Sequence, residues 1–188
     1  MLKIDDKANY QIDNIINNDD RHQLIDLYNS IDPGFSEQDY NLNLVDKRVI
    51  RGHHPYIDPI KKIEKYANRD VYSHYFVMYK PGSFTRLHTD NADEVGLTIV
   101  TMIDMVDLVG GDTLVIIPRD PNDPNIQERR KGQGSGIKKG TVAAGQSIIP
   151  KIVNCKNGDS MIYDRNLTHG VTYVEKGLRL VLVSWFKR

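Results

Sequence analysis

The chain is poor in three things that would each have placed it quickly: cysteine, net charge and long apolar runs. Cys155 is its only cysteine, so no intrachain disulfide framework exists and a reducing compartment fits. Lysine and arginine number 25 and so do aspartate and glutamate, for a net charge of zero. That balance argues against a protein that coats nucleic acid and against a polybasic membrane binder. No apolar stretch approaches the roughly 20 residues a membrane-spanning helix needs, and there is no internal repeat. The opening run Met1-Leu2-Lys3-Ile4-Asp5-Asp6-Lys7 is mixed in charge, unlike a signal or transit peptide, so a cytoplasmic setting is expected. With 188 residues the chain is long enough to bury one full core, and a single domain is expected over 1–188.

Hydrophobic spacing divides that domain into a mainly helical lead-in, 1–70, and a strand-rich core, 71–188. Asp19 or Asp20 can cap a helix with Leu24, Leu27, Tyr28 and Ile31 on one stripe, ended by Asp32-Pro33-Gly34. A second helix is expected to open at Asp58-Pro59, with an acceptor at the cap and proline in the first turn, and to present Ile60, Ile63 and Ala67. From Val71 the pattern turns to strands: Tyr75 to Tyr79, Leu97 to Ile103, Thr113 to Ile117, Ile148 to Val153, Ser160 to Asp164 and Arg179 to Phe186, separated by Gly, Pro, Asn and Asp. Helices followed by many short strands imply an α+β fold, a double-stranded β-helix (jelly-roll) barrel with the N-terminal helices packed on one face.

Four positions in the strand-rich part carry chemistry. His88 and Asp90 stand two apart, so on a strand both side chains point to one face. His169 stands alone further on, and Arg179 follows it by ten positions. Two imidazoles and a carboxylate suit the 2-His-1-carboxylate facial triad of non-heme Fe(II) oxygenases, which leaves open positions on the metal for a bidentate 2-oxo acid and dioxygen. Period two along Arg179–Phe186 places Arg179, Val181, Val183 and Trp185 on one face. A guanidinium among apolar neighbours is costly unless an anion pairs with it, and its planar fork suits the far carboxylate of a dicarboxylate. The alternative is an arginine at a strand mouth with its head in water.

Four segments together resemble the Fe(II)/2-oxoglutarate dioxygenases of the prolyl 4-hydroxylase type: Tyr79-Lys80-Pro81-Gly82, His88-Thr89-Asp90, Gly110-Gly111-Asp112-Thr113, and His169-Gly170-Val171-Thr172-Tyr173-Val174-Glu175-Lys176-Gly177-Leu178-Arg179. The resemblance covers roughly 72–188. It implies that His88, Asp90 and His169 bind Fe(II), that Arg179 holds the C5 carboxylate of 2-oxoglutarate, and that Tyr79 donates a hydrogen bond to the same co-substrate. It puts Thr101 where several relatives carry a tyrosine beside the oxoglutarate, and Trp185 where related enzymes also carry tryptophan near the metal pocket. It further implies O2 as oxidant, ascorbate as an accessory reductant, and a peptide or small-molecule substrate hydroxylated at a proline or a related amino-acid side chain. An oxidative nucleic-acid demethylase is the first alternative. That branch resembles this chain in its triad but has a second arginine six positions after the first, where Trp185 stands, and the neutral charge also counts against nucleic acid. A non-catalytic ligand-sensing barrel would need a damaged triad, and none of the three residues is missing.

The segment 118–145 is the one long irregular stretch, with three prolines, then Arg129-Arg130-Lys131, then a glycine-rich run. It is either a lid whose basic cluster meets the substrate or a solvated insertion. Asn91 is placed to orient Asp90. His53-His54, in a turn-like context, lacks ligand spacing, and His22 and His74 read as structural. Asp112 belongs to a turn signature.

Overall fold

The computed structural model describes residues 9–33, 42–90, 94–118, 148–165 and 167–188. In chain order the elements are β1 (Tyr10–Asn14), α1 (Asn18–Ser30), β2 (Leu42–Asn43), β3 (Asp46–Val49), α2 (Asp58–Ala67), β4 (Val71–Tyr79), β5 (Phe84–His88), β6 (Val95–Gly110), β7 (Thr113–Pro118), β8 (Ile148–Val153), β9 (Asp159–Asp164), β10 (Thr168–Val171) and β11 (Val174–Lys187). They form two antiparallel sheets: one of six strands ordered β1-β9-β6-β11-β4-β3, and one of five ordered β2-β5-β10-β7-β8. Both helices come from the N-terminal part, and the architecture is the expected jelly roll. The lead-in is not only helical, because β1 and β3 extend the two edges of the larger sheet.

Alternation along the central strands separates two cores. On β4 and β11, Phe76, Leu180, Leu182 and Phe186 face the helices and pack with Leu24, Leu27, Ile60 and Ile63. The residues between them, Tyr75, Val77, Tyr79, Val181 and Val183, face the second sheet. Each fully buried Leu, Ile or Phe contributes roughly 1.5–3 kcal/mol of apolar burial, so the helix layer alone is a large share of the fold's driving force.

The helix starts differ from expectation. Asn17, not Asp19 or Asp20, caps α1. Its side chain accepts from the Asp20 amide while the Asp20 carboxylate accepts from the Asn17 amide, a reciprocal capping box. Asp20 is buried and also accepts from Lys62 at 2.7 Å, tying α1 to α2. At α2 the cap position is Ile57 with no side-chain cap bond; Asp58 sits inside the first turn and pairs with Lys61 instead. Proline does occupy the first turn, as expected.

The Gly110-Gly111 turn ends β6 and starts β7 with both residues at positive φ, 72° and 67°. A Cβ on Gly110 would lie 2.2 Å from the Tyr173 carbonyl oxygen, so only glycine lets the two chains meet. The Asp112 amide then donates to the Thr172 hydroxyl and the Thr172 amide to the Asp112 carbonyl. This turn is what brings β7 beside Arg179.

Candidate metal and anion site

The two histidines of the motif meet because β5 and β10 are neighbours and His169 is the register partner of His88. Gly170 permits it: a Cβ there would lie 2.8 Å from the Thr85 carbonyl oxygen of β5. Asp90 follows β5 directly and is buried. The ligand atoms of His88, Asp90 and His169 all lie within 4.8 Å of one another, and among the described residues they form the one cluster able to hold a metal. Asp90 Oδ1 is 3.7 Å from His88 Nε2 and 3.8 Å from His169 Nε2. Those distances are too long for hydrogen bonds, so the three donors converge without bonding one another.

Each donor is oriented from behind. His88 Nδ1 lies 2.8 Å from the Arg86 carbonyl and His169 Nδ1 lies 3.0 Å from the Leu167 carbonyl. A carbonyl can only accept, so each Nδ1 carries a proton, and Nε2 is the nitrogen of each ring left to face inward as a ligand. Asp90 Oδ2 accepts from the Thr98 hydroxyl at 2.6 Å, leaving Oδ1 toward the histidines. Burial lowers the His169 pKa, opposed by Asp90 and reinforced by His88, and that favours the neutral ring a metal requires. Two imidazole nitrogens and one carboxylate oxygen, each held by a second hydrogen bond, fit a divalent first-row transition ion.

A narrow cleft runs between the sheets from this cluster to Arg179. Arg179 is 3% exposed and faces the cleft from β11. It donates to the Gly111 carbonyl and to the Thr113 hydroxyl at 2.7 Å, both neutral acceptors, while its Nε has no partner. Among the described residues no carboxylate pairs with it. Burial lowers its pKa, yet a guanidinium stays charged in any protein setting, so the cleft ends in a desolvated cation. Tyr79, its register partner, has its ring centroid 5.5 Å from the guanidinium and its hydroxyl 2.7 Å from Thr85.

Of the positions singled out in the sequence, His88, Asp90, His169, Arg179 and Tyr79 all border this cleft. Thr101 does not. On β6, Thr98, Val100 and Met102 face the cleft side, so Ile99, Thr101 and Ile103 face away; Thr101 is wholly buried against the Ser160 hydroxyl at 2.9 Å. Trp185 lies on the expected face of β11 but does not border the cleft. It packs edge-on against Tyr75, 5.3 Å between centroids, and Tyr75 is the wall. Asn91 and the basic cluster Arg129, Arg130 and Lys131, with most of the 118–145 segment, lie outside the described residues.

Three participants escaped the sequence: Thr98, Thr113 and Tyr163. Thr98 and Thr113 act through hydroxyls that bond Asp90 and Arg179. Tyr163, on β9, is 1% exposed and its hydroxyl lies 3.0 Å from His169 Nε2. Its signal was present but unreadable: it sits six positions before His169 in an expected strand, and only the pairing with Thr98 turns it toward the metal cluster.

No protein-family model matches the sequence, and no curated protein does. Solved structures do. A viral collagen prolyl hydroxylase from Paramecium bursaria chlorella virus-1, in complex with 2-oxoglutarate, matches with a TM-score of 0.60 at 14% identity, over 94% of this chain and 94% of that one. HygX from Streptomyces hygroscopicus, with nickel and 2-oxoglutarate bound, gives 0.61 at 12% identity over 97% and 84%. A prolyl hydroxylase from Trichoplax adhaerens, in complex with a hypoxia-inducible-factor peptide fragment, gives 0.59 at 12% over 95% and 83%. The fold is theirs. At these identities the likeness is one of architecture, and the site must be argued from its own residues.

Proposed function

We propose that this chain is an Fe(II)- and 2-oxoglutarate-dependent dioxygenase that hydroxylates a peptidyl proline or a related amino-acid side chain, with release of succinate and CO2. The observation that carries the reading is the pairing, in one cleft, of a 2-His-1-carboxylate cluster with a buried guanidinium that has no acid of its own. A dicarboxylate with a 2-oxo group is complementary to both ends at once. The bound 2-oxoglutarate of two similar structures and the bound peptide of a third support the co-substrate and the substrate class. No helix among the described residues is long and apolar enough to cross a membrane, and a cytoplasmic setting, with ascorbate as accessory reductant, completes the reading.

His88, Asp90 and His169 would hold the iron, whose chemistry is to activate dioxygen against the 2-oxo acid so that an unactivated C–H bond becomes an alcohol. Arg179 would hold the far carboxylate of the co-substrate through its fork, replacing neutral contacts with charge-assisted ones. Tyr79 would add a hydroxyl at that end. Thr98 keeps Asp90 turned so that one oxygen remains free for the metal. Val77, Val181 and Val183 line the cleft between the two ends and keep water from the reacting centre. The test is succinate release, with iron and ascorbate supplied, over proline-containing peptides, free amino acids and methylated oligonucleotides. Succinate formed with a peptide or amino acid supports the proposal; release with the oligonucleotides alone would move the chain to the demethylases.

A further inference from the structure

We propose that Tyr163 is a hydrogen-bond donor to the metal-facing end of the 2-oxo acid, freed for that role when His169 gives its Nε2 lone pair to the metal. The inference rests on the iron and oxoglutarate reading above and adds a residue and a sequence of events to it. The Leu167 carbonyl fixes the proton of His169 on Nδ1, so Nε2 carries a single lone pair and the Tyr163 hydroxyl, 3.0 Å away, is the donor to it. A metal ion needs that same lone pair. The phenol and the ion therefore exclude each other at Nε2, and binding of the ion leaves the buried O–H only the Asp90 carboxylate, with which it also interacts.

The neighbourhood limits where that O–H can turn. The Asp90 carboxylate is shared: Oδ2 already accepts from Thr98, and Oδ1 is the oxygen that converges with the two histidines. Tyr79 and Thr85 engage each other, and Thr113 serves Arg179. Tyr163 itself borders the cleft and stands in register with Thr98, which stands in register with Trp185. It is thus level with Asp90, at the opposite end from Arg179. A co-substrate gripped by Arg179 and reaching the cluster brings oxo and carboxylate oxygens to the place where a donor has just lost its partner. A buried donor left to share the Asp90 carboxylate with Thr98 and the metal is poorly satisfied, so the metal-loaded site would favour a ligand that supplies an acceptor there. Metal binding would then prepare the site for the co-substrate through this chain's own hydrogen bonds, over and above the chelation.

Tyr163→Phe removes the hydroxyl and nothing else, and two calorimetric titrations read the result. The first adds Mn(II) to protein without co-substrate. The second adds 2-oxoglutarate to anaerobic Fe(II)-loaded protein. The expected result is a split of opposite sign: metal affinity unchanged or a few-fold tighter, because a competitor for Nε2 is gone, and 2-oxoglutarate affinity about tenfold weaker. Unchanged oxoglutarate affinity would overturn the proposal. So would parallel loss of both affinities, which is the signature of a phenol that merely braces Asp90 or the fold. The wild-type arm reads the parent proposal separately, since a native chain that takes neither metal nor oxoglutarate defeats that reading whatever the variant does.

Discussion

The two faces of the β4–β11 pair treat buried polar groups in opposite ways. On the helix side, Ser184, His74 and Glu64 form a chain: His74 Nδ1 lies 2.9 Å from the Ser184 hydroxyl and Nε2 lies 3.0 Å from the Glu64 carboxylate, whose other oxygen accepts from Tyr56. Burial outweighs the attraction of Glu64 and lowers the His74 pKa, so these are neutral-imidazole hydrogen bonds and not an ion pair. Ser184 donates, Nε2–H donates, and every heteroatom has its partner. Serine, histidine and glutamate in a row suggest a nucleophile relay, but Ser184 is wholly buried in the layer between helix and sheet. On the cleft side of the same strands Arg179 is held by neutral acceptors with one nitrogen unpartnered, and three metal-ligating atoms converge without bonding one another. Saturated polar groups hold a structure together, whereas convergent unsaturated ones await a ligand.

Breaking the cleft side at the metal should have the largest effect. His169→Ala is expected to abolish iron binding and turnover, at least beyond the tenfold to hundredfold typical of losing a supporting contact, while the chain still folds, at a cost of about 1–3 kcal/mol for the partner it takes from the buried Tyr163 hydroxyl. Equilibrium dialysis of iron with a thermal melt checks both, and a variant with native iron occupancy would show that the convergence of the three donors means nothing.

Next in size is Arg179. Arg179→Ala should weaken 2-oxoglutarate binding by about 2–5 kcal/mol, and Arg179→Lys should recover only part, since an ammonium cannot offer the fork. The same site sharpens the contrast between faces. Replacing a desolvated, unpaired cation by Met should leave stability unchanged or raise it, a result no saturated network would give. Chemical denaturation of Arg179→Met is the check.

The helix-side chain should give the reverse pattern at smaller scale. His74→Ala is expected to cost about 1–3 kcal/mol of stability, because Ser184 and Glu64 lose a buried partner, with oxoglutarate affinity unaltered. Its pH dependence has a definite sign. The folded protein holds His74 neutral more strongly than the unfolded chain does, so the unfolded chain binds the proton first. That contribution is full above the ordinary histidine pKa of about 6.5 and declines as pH falls through it toward the lowered folded value. Denaturation midpoints compared between pH 7.5 and 5.5 should drop more in the native chain than in His74→Ala; equal drops would mean that His74 is not the group responsible.

Legibility in the sequence followed the source of each instruction. The strands Tyr75–Tyr79 and Arg179–Phe186 were readable because their apolar and β-branched runs are buried on both faces, and the helix stripes because burial follows period 3.6. The site was readable because ligand types recur at spacings that flank turns. β1, with the sequence Tyr10-Gln11-Ile12-Asp13-Asn14, was not, because its alternation offers only Tyr10 and a largely exposed Ile12, and its strand state is settled by pairing with β9. β5 and β10 were missed for a related reason: they devote positions to His88 and His169 that ordinary strands give to apolar residues. Thr101 was misplaced by a single step of β6, which in a strand reverses the face. The cap of α1 fell to Asn17 because four adjacent acceptors, Asn17, Asn18, Asp19 and Asp20, competed, and only backbone geometry decided among them.

The central claim is that one ligand bridges the two unsaturated ends of the cleft, and the most direct test is titration of 2-oxoglutarate into the native chain with and without Fe(II) under anaerobic conditions. Binding that requires the metal and is largely lost in Arg179→Ala is the predicted result. A native chain that binds 2-oxoglutarate equally well without iron, or not at all with it, would contradict the account.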